Sequence, residues 1–314
     1  MTRSPAPVGD SSKAGLIVAA HGRRGILQAA SGERLPYLVR GRRLRVCCGD
    51  RVRYSTTGAG SAPGETAGLP ALITAIESRD NELQRLPCQG AAPEAIAANL
   101  SHLLVVLAQR PEPDFHLADR YLCAARLMAV ESAVVWNKSD LAGIPAGDLA
   151  IYERLGYPVF TVSTRTRIGV AHVAGWIGTG TAALVGQSGV GKSSLMNALV
   201  PNVEVTTAEL SVGSSEGRHT TTAAVLHPLP GGGRLLDTPG VRDFVPAIPA
   251  ARDISHGFVE IEAFGQRCRF NDCSHLRERQ CAVQEAVARG DIDARRFESY
   301  RRLMNLVRQA GPGY

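Results

Sequence analysis

Two short stretches constrain this chain more than any bulk property. Gly186–Ser194 reads GQSGVGKSS and Trp136–Asp140 reads WNKSD. The first matches G-x-x-x-x-G-K-[ST], follows the apolar run AALV and opens the helical run SLMNALV. That strand–loop–helix context is the one in which glycines let successive N–H groups converge on a single anion, with the helix N-terminus adding partial positive charge. Gly186, Gln187, Ser188, Gly189, Val190, Gly191, Lys192, Ser193 and Ser194 are therefore the candidate phosphate-binding residues. Lys192 is expected to reach the β- and γ-phosphates, and the Ser193 hydroxyl to hold Mg²⁺.

The second stretch supplies N-K-x-D as Asn137, Lys138, Ser139 and Asp140, at the end of the strand-like AVVW. A carboxylate at Asp140 can accept from guanine N1–H and from the 2-amino group, whereas adenine offers a lone pair at N1 and no 2-amine. Each hydrogen bond to a charged group contributes roughly 1.5–3 kcal/mol, so losing both costs on the order of a hundredfold or more in affinity. Asn137 can bridge the base and the phosphate loop, and Lys138 can lie along the ring. A third element, RLLDTPG, ends an apolar strand at Asp237, a candidate Mg²⁺ ligand through water, and puts Gly240 where its N–H can meet the γ-phosphate.

The order of these motifs is inverted. An ordinary GTPase has the phosphate loop first and the base-reading motif last. Here the strands run fourth, fifth, sixth, first, second, third, with the cut just after D-x-x-G. Chain termini lie at domain surfaces, often close together, so a circular permutation can preserve the fold. It also sends the chain after Gly240 directly into the C-terminal region, which is expected to couple that region to the state of the γ-phosphate.

Between the phosphate loop and Asp237 lies GRHTTT (Gly217–Thr222), where a first switch belongs. Thr221 is the candidate Mg²⁺ and γ-phosphate sensor, with its neighbours Thr220 and Thr222 as alternatives. Val241 follows Gly240, where Ras-like enzymes carry a water-orienting Gln. An apolar side chain cannot orient water, and His219 is the candidate for that role. Ser163 is assigned to the loop touching guanine O6, although Thr164 follows it where many GTPases have Ala.

Composition narrows the rest. The chain has 314 residues, 44% hydrophobic, and no apolar run of bilayer length. The polar start MTRSPAPVGDSSK has no signal-peptide core, and reads as a tail on a cytoplasmic protein. The chain has three lysines, Lys13, Lys138 and Lys192, so both beyond the tail fall in the two motifs. A compact ammonium suits a phosphate cradle where a planar guanidinium does not. Residues 1–53 hold eleven Lys/Arg against three acids, although the whole chain carries only +6; a basic end of this kind suits a phosphate backbone.

Cys268-x4-Cys273-x-His275-x5-Cys281 offers three thiolates and an imidazole, a complete tetrahedral Zn²⁺ set with no open position, hence a structural site. Cys47, Cys48, Cys88 and Cys123 are scattered and read as small core residues rather than a disulfide framework.

The patterns divide the chain into a flexible tail at 1–14, a β-barrel of OB type at 15–78 from GLIVAA, GILQAA, RLPYLV, DRVRY and ALITAIE, and a connector at 79–94. An α/β G domain follows at 95–245, with a mostly parallel sheet of six strands. A helical metal-binding unit closes the chain at 246–314. Its last helix should bury Phe297, Tyr300, Met304 and Val307, with Arg295, Arg296, Arg301, Arg302 and Arg308 on the other faces.

Together NKSD, GQSGVGKSSLMNAL, GRHTTT, DTPG, DRYL (Asp119–Leu122) and CRFNDCSHLRERQC resemble the ribosome small-subunit-dependent GTPase A family, the circularly permuted GTPases of bacterial 30S maturation. The likeness spans about residues 15–309. It implies an N-terminal OB-fold, a central G domain and a C-terminal zinc domain. It also implies GTP hydrolysis stimulated by the small subunit, with water positioning by the histidine matching His219. The expected partners are the 30S subunit, 16S rRNA and GTP/GDP, with no membrane and a monomeric chain. The alternative is an RNA-binding module whose nucleotide is a non-catalytic structural switch.

Overall fold

The computed structural model describes residues 12–40, 44–56, 70–85, 94–141, 143, 146–200, 224–237 and 251–310. His219, Thr221 and Gly240 lie outside them.

Strands β1 (Lys13–His21), β2 (Arg24–Ala29), β3 (Arg34–Val39), β4 (Arg51–Thr56) and β5 (Ala71–Ile76) pair in the order β1-β2-β3-β5-β4. β4 returns to β1, which closes a five-stranded barrel. Alternation directs the side chains, so Val52 and Tyr54 of β4 enter the interior with Ile17, Leu27 and Ile73 while Arg51 and Arg53 face out. β1 serves two structures. Its first half, Lys13–Leu16, pairs with β4, and a register shift between Ile17 and Ala19 turns the second half away. Gly25 sits opposite this turn, where an added Cβ would strike the Ala19 carbonyl.

The stretch expected as a connector carries a strand, β6 (Glu82–Arg85), that pairs with β7 (Glu94–Ala98) at the start of the expected G domain. Leu83 and Ala97 are fully buried on this pair, and Ala98 N–H donates to the Cys48 carbonyl of the barrel. A single buried Leu within a four-residue strand is too little periodicity to announce a strand.

Next come β8 (His102–Ala108), α1 (Phe115–Leu127), β9 (Glu131–Asn137), α2 (Ala146–Arg154), β10 (Val159–Thr161), α3 (Val170–Ile177), β11 (Thr181–Val185), α4 (Lys192–Leu199), β12 (Ala224–Pro228) and β13 (Arg234–Asp237). The sheet runs β10-β9-β8-β11-β13-β12, parallel except for β12. Runs such as Leu103–Ala108 are buried throughout because helices cover both faces. β12 pairs with the departing half of β1, Ala19 opposite Val225, so barrel and G-domain strands form one eleven-stranded sheet. No described helix is long and apolar enough to cross a membrane.

The C-terminal unit consists of a 3-10 segment (Ala251–Gly257), α5 (Val259–Gly265), α6 (Ala282–Arg289) and α7 (Ala294–Ala310). Tyr300, Leu303, Met304 and Val307 line the buried stripe of α7, and Phe297 is partly buried on Tyr300. Two arginines expected on its solvent faces are not there. Arg296 is 1% exposed and bridges Asp119 of α1 (2.7 Å) and Glu260 of α5 (2.7 and 3.1 Å). Arg295 bonds Asp119 at 3.1 Å and lies over Phe115 and Tyr152. Asp119 also accepts from the Tyr152 and Ser299 hydroxyls. These groups bolt the C-terminal unit onto α1, leaving Arg301, Arg302 and Arg308 as the exposed arginines of α7.

Candidate functional site

The parallel strands point their carboxyl ends at one edge, and the sequence motifs converge there. Ala108 at the end of β8 is in register with Asn137 at the end of β9, and Val105 with Val185 at the end of β11. The loop from Gly186 to Gly191 therefore leaves the sheet two strands from the N-K-x-D segment. A crevice at strand ends beside the point where connections diverge is the usual ligand position in such sheets.

Direct bonds join the two motifs. Asn137, fully buried, donates its amide to the Val190 carbonyl at 2.9 Å across 53 residues of chain. Lys138 donates Nζ to the Gly189 and Arg110 carbonyls, both at 2.7 Å. Gly191 has φ of 93°, and a Cβ there would run into the Asn137 amide, so the glycine is required both by conformation and by contact. It also begins α4 without a side-chain cap, leaving the first-turn N–H groups to an incoming anion. Lys192 folds its ammonium onto the Gly186 and Gln187 carbonyls at 2.7 and 2.8 Å. The Asn137 Oδ1 and Gln187 Oε1 are buried with no hydrogen-bond partner among the described residues.

The base-reading end is equally ordered. Ser139 N–H donates to Val162, and Ser163, 1% exposed, donates its hydroxyl to Asp140 Oδ1 at 2.6 Å. Arg165 approaches Asp140 Oδ2 at 2.8 Å. The Ser163 hydroxyl, and then the Arg165 guanidinium, hold the Asp140 carboxyl below the usual carboxylate range. Sequence reasoning missed Arg165. One guanidinium nitrogen of Arg165, a largely exposed side chain, meets the carboxylate oxygen that Ser163 leaves open. Asp237 ends β13, beside β11, and burial pushes its carboxyl pKa up. A cation would relieve that burial by favouring the charged form. Asp237 thus ends the strand beside β11 and Ser193 lies in the first turn of α4, while Thr221, His219 and Gly240 are not among the described residues.

The second cluster lies in the C-terminal unit. Cys268, Cys273, His275 and Cys281 bring their ligand atoms within 4.8 Å of one another. Cys281 Sγ is 3.8 Å from both Cys268 Sγ and Cys273 Sγ, and 3.5 Å from His275 Nδ1. Bonds of about 2.3 Å from sulfur to a central ion would give tetrahedral edges of about 3.8 Å. The four residues can therefore hold one metal ion. His275 has φ of 60° and Gln280 of 59°, local turns that bring the ligands inward.

The comparisons agree with this geometry. Residues 76–245, more than half the chain, match the RsgA GTPase family. A protein from Chromohalobacter salexigens named small ribosomal subunit biogenesis GTPase RsgA is 39% identical over 238 residues, which cover 74% of this chain and 70% of that one. The protein of that name from Yersinia enterocolitica is 35% identical over 312 residues, covering 97% and 88%. Among solved structures, YjeQ from Thermotoga maritima superposes with a TM-score of 0.72 at 28% identity, covering 94% of this chain and 98% of that one. YloQ, described as a circularly permuted GTPase, shares the fold with a TM-score of 0.69 at 21% identity, over 99% and 100% of the two chains. With its phosphate loop tied to an N-K-x-D segment that precedes it in the chain, and with relatives of this length and likeness, this chain belongs to the RsgA GTPase family.

Proposed function

We propose that the protein is a GTP hydrolase of small-ribosomal-subunit maturation, a cytoplasmic monomer that binds the 30S subunit through 16S rRNA and turns over GTP when bound to it. The observation that carries this reading is the pair of bonds from Asn137 and Lys138 to the phosphate-loop carbonyls of Val190 and Gly189. They join the two motifs directly, which supports reading them as one nucleotide site. The names of the relatives supply the ribosomal partner.

In this reading Asp140 selects guanine and Ser163 fixes its carboxylate. Residues 186–194 hold the phosphates, with Lys192 on the β- and γ-groups and the Gly240 N–H on the γ-phosphate. Mg²⁺ would be held by Ser193, Thr221 and Asp237, and would neutralise charge on the phosphates. His219 orients the attacking water in place of the side chain that Val241 lacks. Cys268, Cys273, His275 and Cys281 hold one structural Zn²⁺, which stabilises a segment too small for a core of its own. The basic barrel lies against rRNA.

Multiple-turnover phosphate release with and without 30S subunits tests the reading. Slow release alone and at least about tenfold faster release with subunits is expected, with His219→Ala keeping GTP affinity and losing the stimulation. No multiple-turnover release in either condition would favour a non-catalytic switch, and equal release in both would contradict stimulation by the subunit.

A further inference from the structure

The loop between β8 and α1, residues 109–114, touches both halves of the nucleotide site. The Arg110 carbonyl accepts from Lys138 Nζ at 2.7 Å, and the same ammonium donates to the Gly189 carbonyl at 2.7 Å. One charge therefore joins three segments of chain: the N-K-x-D segment, the phosphate loop and this loop. Packing repeats the pattern on either side. A Cβ added at Gly143, just beyond Asp140, would strike the Gln109 amide. A Cβ added at Gly189 would meet Pro111 Cδ at 3.4 Å. Hydrogen bonds from an ammonium are stronger than neutral ones, so the placement of Lys138 depends on where the Arg110 carbonyl sits.

α1 begins directly after this loop, with the Asp114 side chain accepting from the Leu117 N–H at 2.9 Å as its cap. The C-terminal unit grips α1 along its whole length, thirteen residues or about 20 Å. In the first turn, His116 Nδ1 lies 2.7 Å from the Ser299 hydroxyl of α7. In the second, Asp119 accepts from Arg295, Arg296 and that same Ser299. In the third, Gly257 of the 3-10 segment lies so close to Cys123 that an added Cβ would collide with its Sγ. In the last, Arg126 donates to the His256 carbonyl at 2.8 Å and to Glu262 at 2.6 Å. A helix gripped at every turn moves as a unit with what grips it, and packed, hydrogen-bonded networks of this kind carry coupling between sites.

We propose that α1 is a strut through which docking of the C-terminal unit positions Lys138 and the phosphate loop, so that this unit sets nucleotide affinity. Asp119, Arg126 and Ser299 are then positioning residues that act at a distance from the nucleotide. This rests on the reading of the two motifs as one guanine-nucleotide site. It differs from the route expected through the chain after Gly240, which reports the γ-phosphate. Lys138 and Gly189 belong to the base reader and the phosphate cradle, which GDP and GTP share. The strut therefore acts on both nucleotides by one factor, and reports that the site is filled rather than which nucleotide fills it. Linkage requires the reverse effect as well, so bound nucleotide tightens the docking of the C-terminal unit.

The test is titration of the full-length, metal-loaded protein with GDP and with a non-hydrolysable GTP analogue, for wild type and for Arg126→Met combined with Ser299→Ala. The pair removes bonds near both ends of α1 and leaves the Arg296 bonds to Asp119 and Glu260 in place. Affinity falls about fivefold or more for both ligands, by the same factor. Arg302→Met, on the exposed face of α7, changes neither. Hydrogen exchange of the wild type is the second readout and needs no variant: GDP slows exchange in α7 and the 3-10 segment. A merely structural role for Arg126 and Ser299 would lower stability without moving either affinity or the protection by GDP. Unchanged affinities, a loss confined to the GTP analogue, or no protection by GDP overturns the proposal. Wild type that takes up neither ligand would overturn the nucleotide-site reading with it, whereas uptake without these effects overturns the strut alone.

Discussion

An Arg296→Met variant is expected to lose about 3–5 kcal/mol of stability, the usual consequence of removing one member of a buried ion cluster. Arg296 is 1% exposed and its guanidinium lies between Asp119 and Glu260, themselves buried. Methionine fills much of the volume but leaves two carboxylates facing one another in a poorly solvated space. By contrast, Arg301 and Arg302 pair with Glu298 on the exposed face of α7. Exposed pairs of that kind contribute roughly 0–1 kcal/mol, so Arg302→Met serves as the matched control with little effect. Urea unfolding of the three proteins separates the cases, and a loss below about 1 kcal/mol for Arg296→Met would contradict the role given to the cluster. Asp119 lies on a G-domain helix and its partners Arg295, Arg296 and Ser299 on α7, which Arg296 also ties to Glu260 of α5, so any motion that nucleotide state imposes on the C-terminal unit must carry α1 with it or break these bonds.

The second large effect concerns the base. Asp140→Asn replaces a carboxylate, able to accept from both guanine N–H groups, with an amide that accepts at one atom and donates at the other. Two hydrogen bonds to a charged group are weakened or lost, which corresponds to a fall in GTP affinity of about a hundredfold or more. A base with a carbonyl in place of the 2-amine, xanthine, is now matched by the amide N–H. Xanthosine triphosphate should therefore bind the variant more tightly than GTP does. Ser163 already holds Oδ1 at 2.6 Å, so the side chain at position 140 is oriented before the base arrives and the substitution changes chemistry more than placement. Competition binding with both nucleotides reads the outcome, and a variant that keeps its preference for GTP would remove Asp140 from the base-reading role.

Much of this was legible in one dimension because it depends on local pattern. The barrel strands announced themselves by alternation, as in Val52 and Tyr54 against Arg51 and Arg53. The inner strands did so by unbroken apolar runs such as Leu103–Ala108. The convergence of Asn137 with Gly191 followed from motif chemistry, since neither segment can serve a nucleotide alone. What escaped depends on partners distant in the chain. Nothing in the spacing of Arg295 and Arg296 separates them from Arg301 and Arg302, and it is Asp119, 177 residues earlier, and Glu260, 36 residues earlier, that pair with Arg296 in the interior. Arg165 follows Ser163 by two positions in an ordinary loop, and its role comes from reaching back to Asp140. The pairing of β1 with β12 likewise depends on a bulge between Ile17 and Ala19 that no composition signal marks.

The central claim is that segments read in inverted order build one guanosine triphosphate site. Calorimetric titration of the purified protein with GTP and with ATP, both with magnesium, tests it most directly. The account predicts one GTP per chain and ATP binding weaker by about a hundredfold or more; no uptake of GTP, or equal affinity for the two nucleotides, would contradict it.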